Sequence, residues 1–269
     1  MKMRTKVSGT VILGWMFLSP HAMAWVPGGA GGNVELGGTI EPSGPTNPWE
    51  VVLGADVAGM NMVLPESGQL IRHRLKTNLP VLGIRTTTGQ DETFGGEAAG
   101  GLAPQVSYSG LVTGGSYDKG RVPVELLVTG EKDNQTLGWL RLNLFAGAEV
   151  SQYNPESGNG KRYSVYAGQP GEAFYGGIAR TPNEAMDNAL VMIGDIFESY
   201  TRHYNPQGLP GITGQKQSAE FRNNKMRYSG FYGAGLLAGD EVVMRLDEGS
   251  RPEGAENWRA RLKVTINYQ

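Results

Sequence analysis

The sequence contains no cysteine and very little histidine. Of its 269 residues only three are histidine, and two of these, His73 and His203, lie beyond the first 24 positions. A chain without cysteine forms no disulfides, so its stability must come from a hydrophobic core or from a partner. Neither histidine has further ligands at the spacing that a zinc site needs, so the sequence argues against a metal site.

Local signs of enzyme chemistry are also missing. The sequence has no Gly-x-Ser-x-Gly elbow, and no Gly-Lys-Ser/Thr follows its glycine-rich stretches at 28–32 and 95–101. Asp91 and Glu92 are adjacent, so on an extended chain their carboxyl groups point in opposite directions rather than forming a glycosidase pair. A Ser-His-Asp triad assembles in space, which leaves an exported hydrolase as a minor hypothesis. We predict neither an enzyme nor a cofactor.

Long apolar runs are absent beyond the N-terminus. Residues 1–24 have the pattern of a secretory signal, with a basic start, a short apolar segment at 11–18 and a small-x-small site ending at Ala24. We predict cleavage between Ala24 and Trp25, the alternative being an uncleaved membrane anchor. Because the leader carries three of the 24 basic residues and no acidic ones, cleavage leaves 21 against 26 acidic residues. The resulting net charge of −5 argues against nucleic acid as a partner.

Glycine is abundant, at 41 residues, and it separates short runs of alternating apolar and polar residues. Short alternating runs separated by glycine are typical of an antiparallel all-β domain and favour a sandwich. The predicted strands are Trp49–Ala55, Ile71–Lys76, Val106–Tyr108, Val122–Thr129, Leu137–Leu144, Tyr163–Tyr166, Met226–Leu237, Glu241–Leu246 and Ala260–Tyr268.

One segment interrupts the strand pattern. Thr181-Pro182-Asn183-Glu184 has a capping hydroxyl, a proline at the first helical position and a glutamate three residues after the cap. Apolar residues then recur at helical spacing as far as Tyr200, which predicts a helix of about five turns ending near 203–205. Such an insertion is either a lid packed on the sheet or a functional element.

The first and last strands of the predicted domain are unusual. Val34, Leu36, Gly38 and Ile40 share one face of an extended segment, behind a glycine-rich leader that has few side chains to pack. At the other end Leu262, Val264, Ile266 and Tyr268 share one face, and only Gln269 follows them. An uncovered strand edge is a hazard that proteins usually block, so we expect the free strand at one end to fit an open edge like that at the other.

The chain resembles chaperone–usher fimbrial subunits of the FaeG-like, disulfide-free family. The resemblance runs through most of the chain beyond the predicted leader, although the helical segment is shorter and differs in its residues. It is carried by Ala24-Trp25, Gly32–Ile40, the strand around Trp49, Pro80–Thr86, Phe174–Gly177 and Trp258–Tyr268.

The resemblance implies an all-β, incomplete immunoglobulin-like (pilin) sandwich that lacks its final strand and carries an inserted helical segment. It also implies three parts: a signal peptide at 1–24, an N-terminal donor-strand extension at 25–44, and a pilin domain at 45–269 with the helical insertion around 179–211. The chain is then exported through the periplasm to a surface fimbrium that supports cell adhesion. A minor subunit is favoured.

The same resemblance implies partners and site residues. A periplasmic chaperone lends a strand during transit, and at the outer-membrane usher the N-terminal extension of a neighbouring fimbrial subunit replaces it. In donor-strand exchange the donor residues would be Val34, Leu36, Gly38 and Ile40. Gly38 would lie at the narrowest point of the neighbour's groove. The edge facing the chaperone and usher would be Leu262, Val264, Ile266, Tyr268 and Gln269. The alternative is an adhesin that binds a host glycan receptor through the insertion, where Phe197, Tyr200 and Tyr204 supply aromatic rings.

Overall fold

Antiparallel strands dominate the fold. The computed structural model describes residues 47–87, 92–96, 102–112, 115–212 and 214–269. The strands are β1 (Trp49–Leu53), β2 (Leu70–Arg74), β3 (Leu79–Thr86), β4 (Phe94–Gly95), β5 (Pro104–Tyr108), β6 (Arg121–Gly130), β7 (Thr136–Tyr153), β8 (Gly160–Val165), β9 (Lys216–Gln217), β10 (Arg227–Leu236), β11 (Glu241–Leu246), β12 (Trp258–Ala260) and β13 (Val264–Tyr268). The helices are α1 (Ala189–Ile196) and α2 (Glu198–Thr201). The predicted all-β class is confirmed.

The large sheet is organised around the 18-residue strand β7. Its registers place β10 and β11 end to end along one edge of β7, and β6 and β8 end to end along the other. Beyond β10 and β11 lie β3 and β2 respectively, and β1 is added outside β3. A separate two-stranded sheet pairs β13 with β5.

The main core lies on the inner face of the large sheet. Because side chains alternate across a strand, Leu140, Leu142 and Leu144 of β7 point inward while Trp139 and Arg141 point outward. The two-stranded sheet packs over the same core through half-buried apolar residues of β13. This arrangement of two sheets around one core is the sandwich that the sequence predicts.

The beginning of the described chain is anchored in this core by Trp49. Its ring packs at 5.2–5.6 Å from the rings of Phe94, Phe174 and Phe221. Its indole N–H donates a hydrogen bond of 2.9 Å to the carbonyl oxygen of Leu102. The next residue, Ala103, exchanges backbone hydrogen bonds with Gln269 at 2.8 and 3.2 Å. The segment 102–103 therefore holds both β1 and the end of β13.

The predicted five-turn helix is wrong in its extent. Residues 181–188 form turns, and the first helix begins only after Asn188, whose side chain accepts a hydrogen bond from the Val191 N–H. Phe197 has non-helical dihedrals and separates α1 from the four-residue α2. Among the described residues, no helix combines the length and the apolar character that crossing a membrane requires.

The last predicted strand is also divided. The sequence predicts one strand over 260–268, whereas the backbone forms β12 and β13 with residues 261–263 between them. The cause is a change of partner: β12 pairs with β6 of the large sheet, and β13 pairs with β5 of the small one. Strand β3 is an addition, since Pro80–Thr86 carries the family resemblance but was not predicted to be a strand.

Candidate functional site

An apolar groove with a volume of about 1360 Å³ lies on the inner face of the large sheet. One wall is the segment 53–64, and the other is the segment 252–264. The floor is the inner face of the large sheet and includes Leu126, Leu140 and Met244. The groove is partly open to solvent, and its volume is larger than that of a usual small-molecule site.

The first wall belongs to no strand after β1 ends at Leu53. Met60, Met62 and Leu64 are half-buried and pack against the core, while the alternate position Val63 is 88% exposed. This two-residue period is that of an extended strand with one buried face. The wall thus has the side-chain pattern of a strand without a neighbouring strand in the described part of the chain.

The second wall follows the same pattern in the residues that were predicted to face a chaperone. Leu262 and Val264 line the groove, and Ile266 and Tyr268 continue the same face of the segment beyond it. All four are half-buried and pack against the core, while Lys263 and Asn267 are exposed. β13 is paired with β5 along one edge, and no described strand pairs with its other edge. Gln269 is exposed beyond the strand and bonded to Ala103. A role for these residues toward a partner stays a prediction.

Arg251 joins the two segments that border the walls of the groove. Its guanidinium donates hydrogen bonds to the carbonyl oxygens of Gly68 at 3.0 Å, Pro65 at 2.5 Å and Glu66 at 3.0 Å. The turn at 65–68 directly follows the first wall, and Arg251 directly precedes the second. This single side chain therefore connects the two walls.

The predicted donor residues Val34, Leu36, Gly38 and Ile40 lie outside the described residues, as does the predicted cleavage site at Ala24 and Trp25. Their roles stay predictions. In the described ranges no group of three metal-ligating side chains occurs. The first wall of the groove was missed by sequence reasoning, although the alternation of Met60, Met62 and Leu64 was a readable signal.

The helical insertion covers only half of the outer face of the large sheet. Its side chains form a second core with that face. Glycines make the space: a Cβ at Gly233 would lie 2.5 Å from Ile193, and one at Gly235 would lie 2.2 Å from the ring of Phe197. The glycines of β10 thus form a floor into which the insertion packs.

The aromatic residues that motivate a glycan site lie in this second core. Phe197, Tyr200 and Tyr204 are only 7%, 4% and 7% exposed. Rings that are covered by the sheet cannot stack on a sugar. The structure therefore favours the lid interpretation of the helical segment for these three residues.

A buried ion pair holds the insertion to the sheet. Glu149 of β7 is fully buried and contacts the Arg162 guanidinium at 2.7 Å. The Tyr204 hydroxyl donates to the same carboxylate at 2.8 Å, and the Leu190 N–H donates to it at 3.2 Å. The carboxylate thus satisfies donors from a strand, from α1 and from the end of the insertion.

The buried environment around Glu149 shifts the pKa values of Tyr204 and Arg162. Burial, together with the negative charge of Glu149, raises the pKa of the Tyr204 hydroxyl well above its usual value. Burial disfavours the charged form of Arg162, but its bonds to Glu149 and Tyr204 outweigh this and raise its pKa. Both residues therefore stay protonated at neutral pH.

A smaller cavity of about 170 Å³ lies between β1 and α2. Glu50 at its edge accepts a hydrogen bond of 2.5 Å from the Arg85 Nε. The Nδ1 atom of His203 lies 2.7 Å from the Glu50 carboxylate, but it has no hydrogen-bond partner. The two groups therefore lie close together without the alignment that a hydrogen bond requires.

The fold is thus an all-β sandwich with an open apolar groove on the inner face of its large sheet. Comparison with known proteins identifies its class: the chain matches the family described as fimbrial, major and minor subunit over residues 8–269. The chain belongs to this family. Members are components of surface fimbriae, so the chain is a fimbrial subunit that interacts with other subunits of the fibre.

Two curated relatives of low sequence identity are also fimbrial proteins. The K88 fimbrial protein AB of Escherichia coli is 23% identical over 277 residues, covering 93% of this chain and 94% of that protein. The K88 fimbrial protein AC of the same organism is 22% identical over 274 residues, with the same coverage. The predicted resemblance to FaeG-like fimbrial subunits is confirmed.

Proposed function

We propose that the apolar groove accepts an extended strand from a neighbouring subunit, and that this chain builds a fimbria by chaperone–usher donor-strand exchange. The observation that carries the proposal is the groove itself. Its two walls both present half-buried apolar side chains at alternate positions, while the described part of the chain supplies no strand between them. A strand inserted there adds backbone hydrogen bonds to an existing edge and places alternate side chains in the groove.

The donor is the segment that contains Val34, Leu36, Gly38 and Ile40. Seven extended residues span about 23 Å, and the eleven residues of 54–64 span at most about 36 Å, so the donor is short enough for the wall. Val34, Leu36 and Ile40 enter the core, and Gly38 passes the narrowest point. A contact between the front of one copy and the groove of the next does not close on itself, which generates an open filament.

Before assembly the open groove needs a temporary partner. A periplasmic chaperone that inserts its own strand beside β13 satisfies this need, because an apolar strand edge left open promotes aggregation. Leu262, Val264, Ile266 and Tyr268 supply the apolar face on that side, and Gln269 follows them. The outer-membrane usher is then the place of exchange, and the assembled fibre supports adhesion at the cell surface.

The test is a charge in the donor segment. Leu36→Asp or Ile40→Asp is expected to remove the subunit from isolated fimbriae, because an unpaired carboxylate would be buried in an apolar groove. Thr39→Asp is the matched control, since its side chain has the opposite parity and points away from the groove. The measurement is the amount of each variant in sheared fimbriae relative to the periplasmic pool.

Equal incorporation of Leu36→Asp and Thr39→Asp would contradict the proposal. A second measurement uses the isolated subunit, extended after Gln269 by a flexible linker and a copy of residues 30–41. This chain is expected to be monomeric and more stable than the unextended subunit, whereas a copy with Leu36→Asp and Ile40→Asp is not. No stabilisation by the intact copy would show that the groove does not bind this segment.

Recognition of a host glycan is the second candidate, and it now lacks the aromatic residues that motivated it. A glycan array probed with the strand-complemented subunit remains its direct test. Binding that is lost on changing exposed residues of α1, such as Val191 or Met192, would support it. Absence of binding across a broad array would count against it.

A further inference from the structure

The half of the outer sheet face that the helical insertion leaves uncovered carries a row of large apolar residues. Leu127 of β6 is paired with Trp139 of β7, Trp139 with Arg245 of β11, and Arg245 with Leu70 of β2. Leu127, Trp139 and Leu70 are 44%, 46% and 48% exposed. The outward face of such a sheet is normally polar, so three large apolar side chains in one register are unusual there. We call the four paired residues Leu127, Trp139, Arg245 and Leu70 the tryptophan row.

Arginines surround the tryptophan row on the same face. The outward positions of the four strands hold five arginines against two glutamates, namely Arg72, Arg74, Arg121, Arg141 and Arg245 against Glu125 and Glu241. Arg121 pairs with Asp240 at 2.6 Å. Arg72 pairs with Glu241, and Arg141 lies 3.9 Å from Glu125. Arg74 and Arg245 have no ion-pair partner among the described residues. This face is therefore positive, although the chain beyond residue 24 has an excess of acidic residues.

The dimensions of the patch select between kinds of partner. Four adjacent strands cover three spacings, about 14 Å, and the positions from two before to two after the row extend about 13 Å along each strand, so the patch measures on the order of 200 Å². A stable protein complex buries about 800 Å² on each partner, which is several times more. Small molecules bind in concave sites, whereas Leu127, Trp139 and Leu70 rise from a sheet face and are nearly half exposed.

A lipid surface fits both the size and the chemistry. Tryptophan prefers the boundary between headgroups and acyl chains, where its ring is buried and its N–H stays hydrated. Guanidinium groups donate paired hydrogen bonds to phosphate, and each basic residue near an anionic membrane contributes about 1 kcal/mol. We propose that the tryptophan row, with its surrounding arginines, docks on an anionic phospholipid surface. This contact is independent of the groove, which faces the opposite side of the same strands.

The experiment is cosedimentation of the full chain with vesicles of phosphatidylcholine alone or of phosphatidylcholine with an equal part of phosphatidylglycerol. Every variant is prepared in the same way, so that residues 1–46 contribute equally. Binding is expected only with the anionic vesicles. Arg245→Ala is expected to weaken it about fivefold and Trp139→Ala about tenfold. Arg245→Ala changes an exposed side chain, so its effect does not depend on a change in folding.

Matched controls are Arg202→Ala and Val191→Ala, which change exposed residues of the helical insertion. Neither is expected to alter binding by more than about twofold, and added salt is expected to weaken binding of the parent. Equal loss in the controls, binding to neutral vesicles alone, or no binding would overturn the proposal. So would complete release by soluble glycerol phosphate at matched phosphate concentration, because the ligand would then be a free anion rather than a lipid surface.

Discussion

Replacing Glu149 by leucine tests how the helical insertion is held to the sheet. The substitution removes the carboxylate that contacts Arg162 at 2.7 Å, while the guanidinium stays in a site where its side chain is only 10% exposed. Breaking a buried pair on one side costs about 3–5 kcal/mol. The Tyr204 hydroxyl and the Leu190 N–H also lose their acceptor. Because total stability is about 5–15 kcal/mol, we expect a large shift of the unfolding midpoint.

The double variant Glu149→Leu with Arg162→Met separates the charge from the hydrogen bonds. It removes both charges, so most of the loss is expected to return, leaving about 1–3 kcal/mol for the unpaired donors. Glu125→Leu is the matched control, since its pair with Arg141 is long and exposed and is worth at most about 1 kcal/mol. Urea unfolding followed by tryptophan fluorescence measures all three. The reasoning is refuted if the double variant is no more stable than Glu149→Leu, or if that variant matches the control.

Three further outcomes are expected. Because the pKa of Tyr204 is higher in the folded protein than its ordinary value of 10.0, its contribution to stability is constant below about pH 10 and is lost as the pH rises further. Tyr204→Phe should therefore flatten the alkaline fall in urea midpoints, and an unchanged slope would contradict this. Gly235→Val should lower stability by about 2–3 kcal/mol in thermal melts through its clash with the insertion, whereas Gly211→Ala, with open space around it, should not. Arg251→Ala should increase amide exchange in the turn at 65–68 by about tenfold, since its three carbonyl contacts are lost, and unchanged exchange would show that it does not join the walls.

The strands that could be predicted from the sequence are those with one solvent-exposed face. In β6 the residues Val122, Val124 and Val128 are buried and Glu125 and Leu127 are exposed, which is the alternation that the sequence displays. The second half of β7 has no such alternation, because the core covers one face and the helical insertion covers the other. A period-2 pattern disappears when both faces are buried, so the true length of β7 was not readable.

The helix was predicted from local signals that tertiary packing overrides. Thr181 and Glu184 do contact each other at 2.8 Å, but the bond joins their side chains, whereas in a capping box each side chain bonds the backbone N–H of the other residue. Met186, however, packs against positions Gly120 and Gly147 of the sheet, and the chain follows that contact instead of a helical path. Helix formation then begins at the cap of Asn188.

The groove was only half predictable. The alternation of Leu262, Val264 and Ile266 indicated an apolar strand, but the opposite wall at 53–64 contains glycine, alanine and asparagine and resembles a loop. Its alternation has structural meaning only beside the second wall. That pairing is set by the topology, which brings together segments nearly 200 residues apart.

The anchoring of Trp49 has a mechanical consequence for a fimbrial subunit. The indole N–H of Trp49 holds the carbonyl of Leu102, and the adjacent Ala103 holds Gln269 through two backbone hydrogen bonds. Under the proposed donor-strand exchange, tension that enters the domain at β1 and leaves through β13 would pass across these two neighbouring residues. The helical insertion contributes no residue to these contacts, so under the same proposal its length and sequence can vary without changing them.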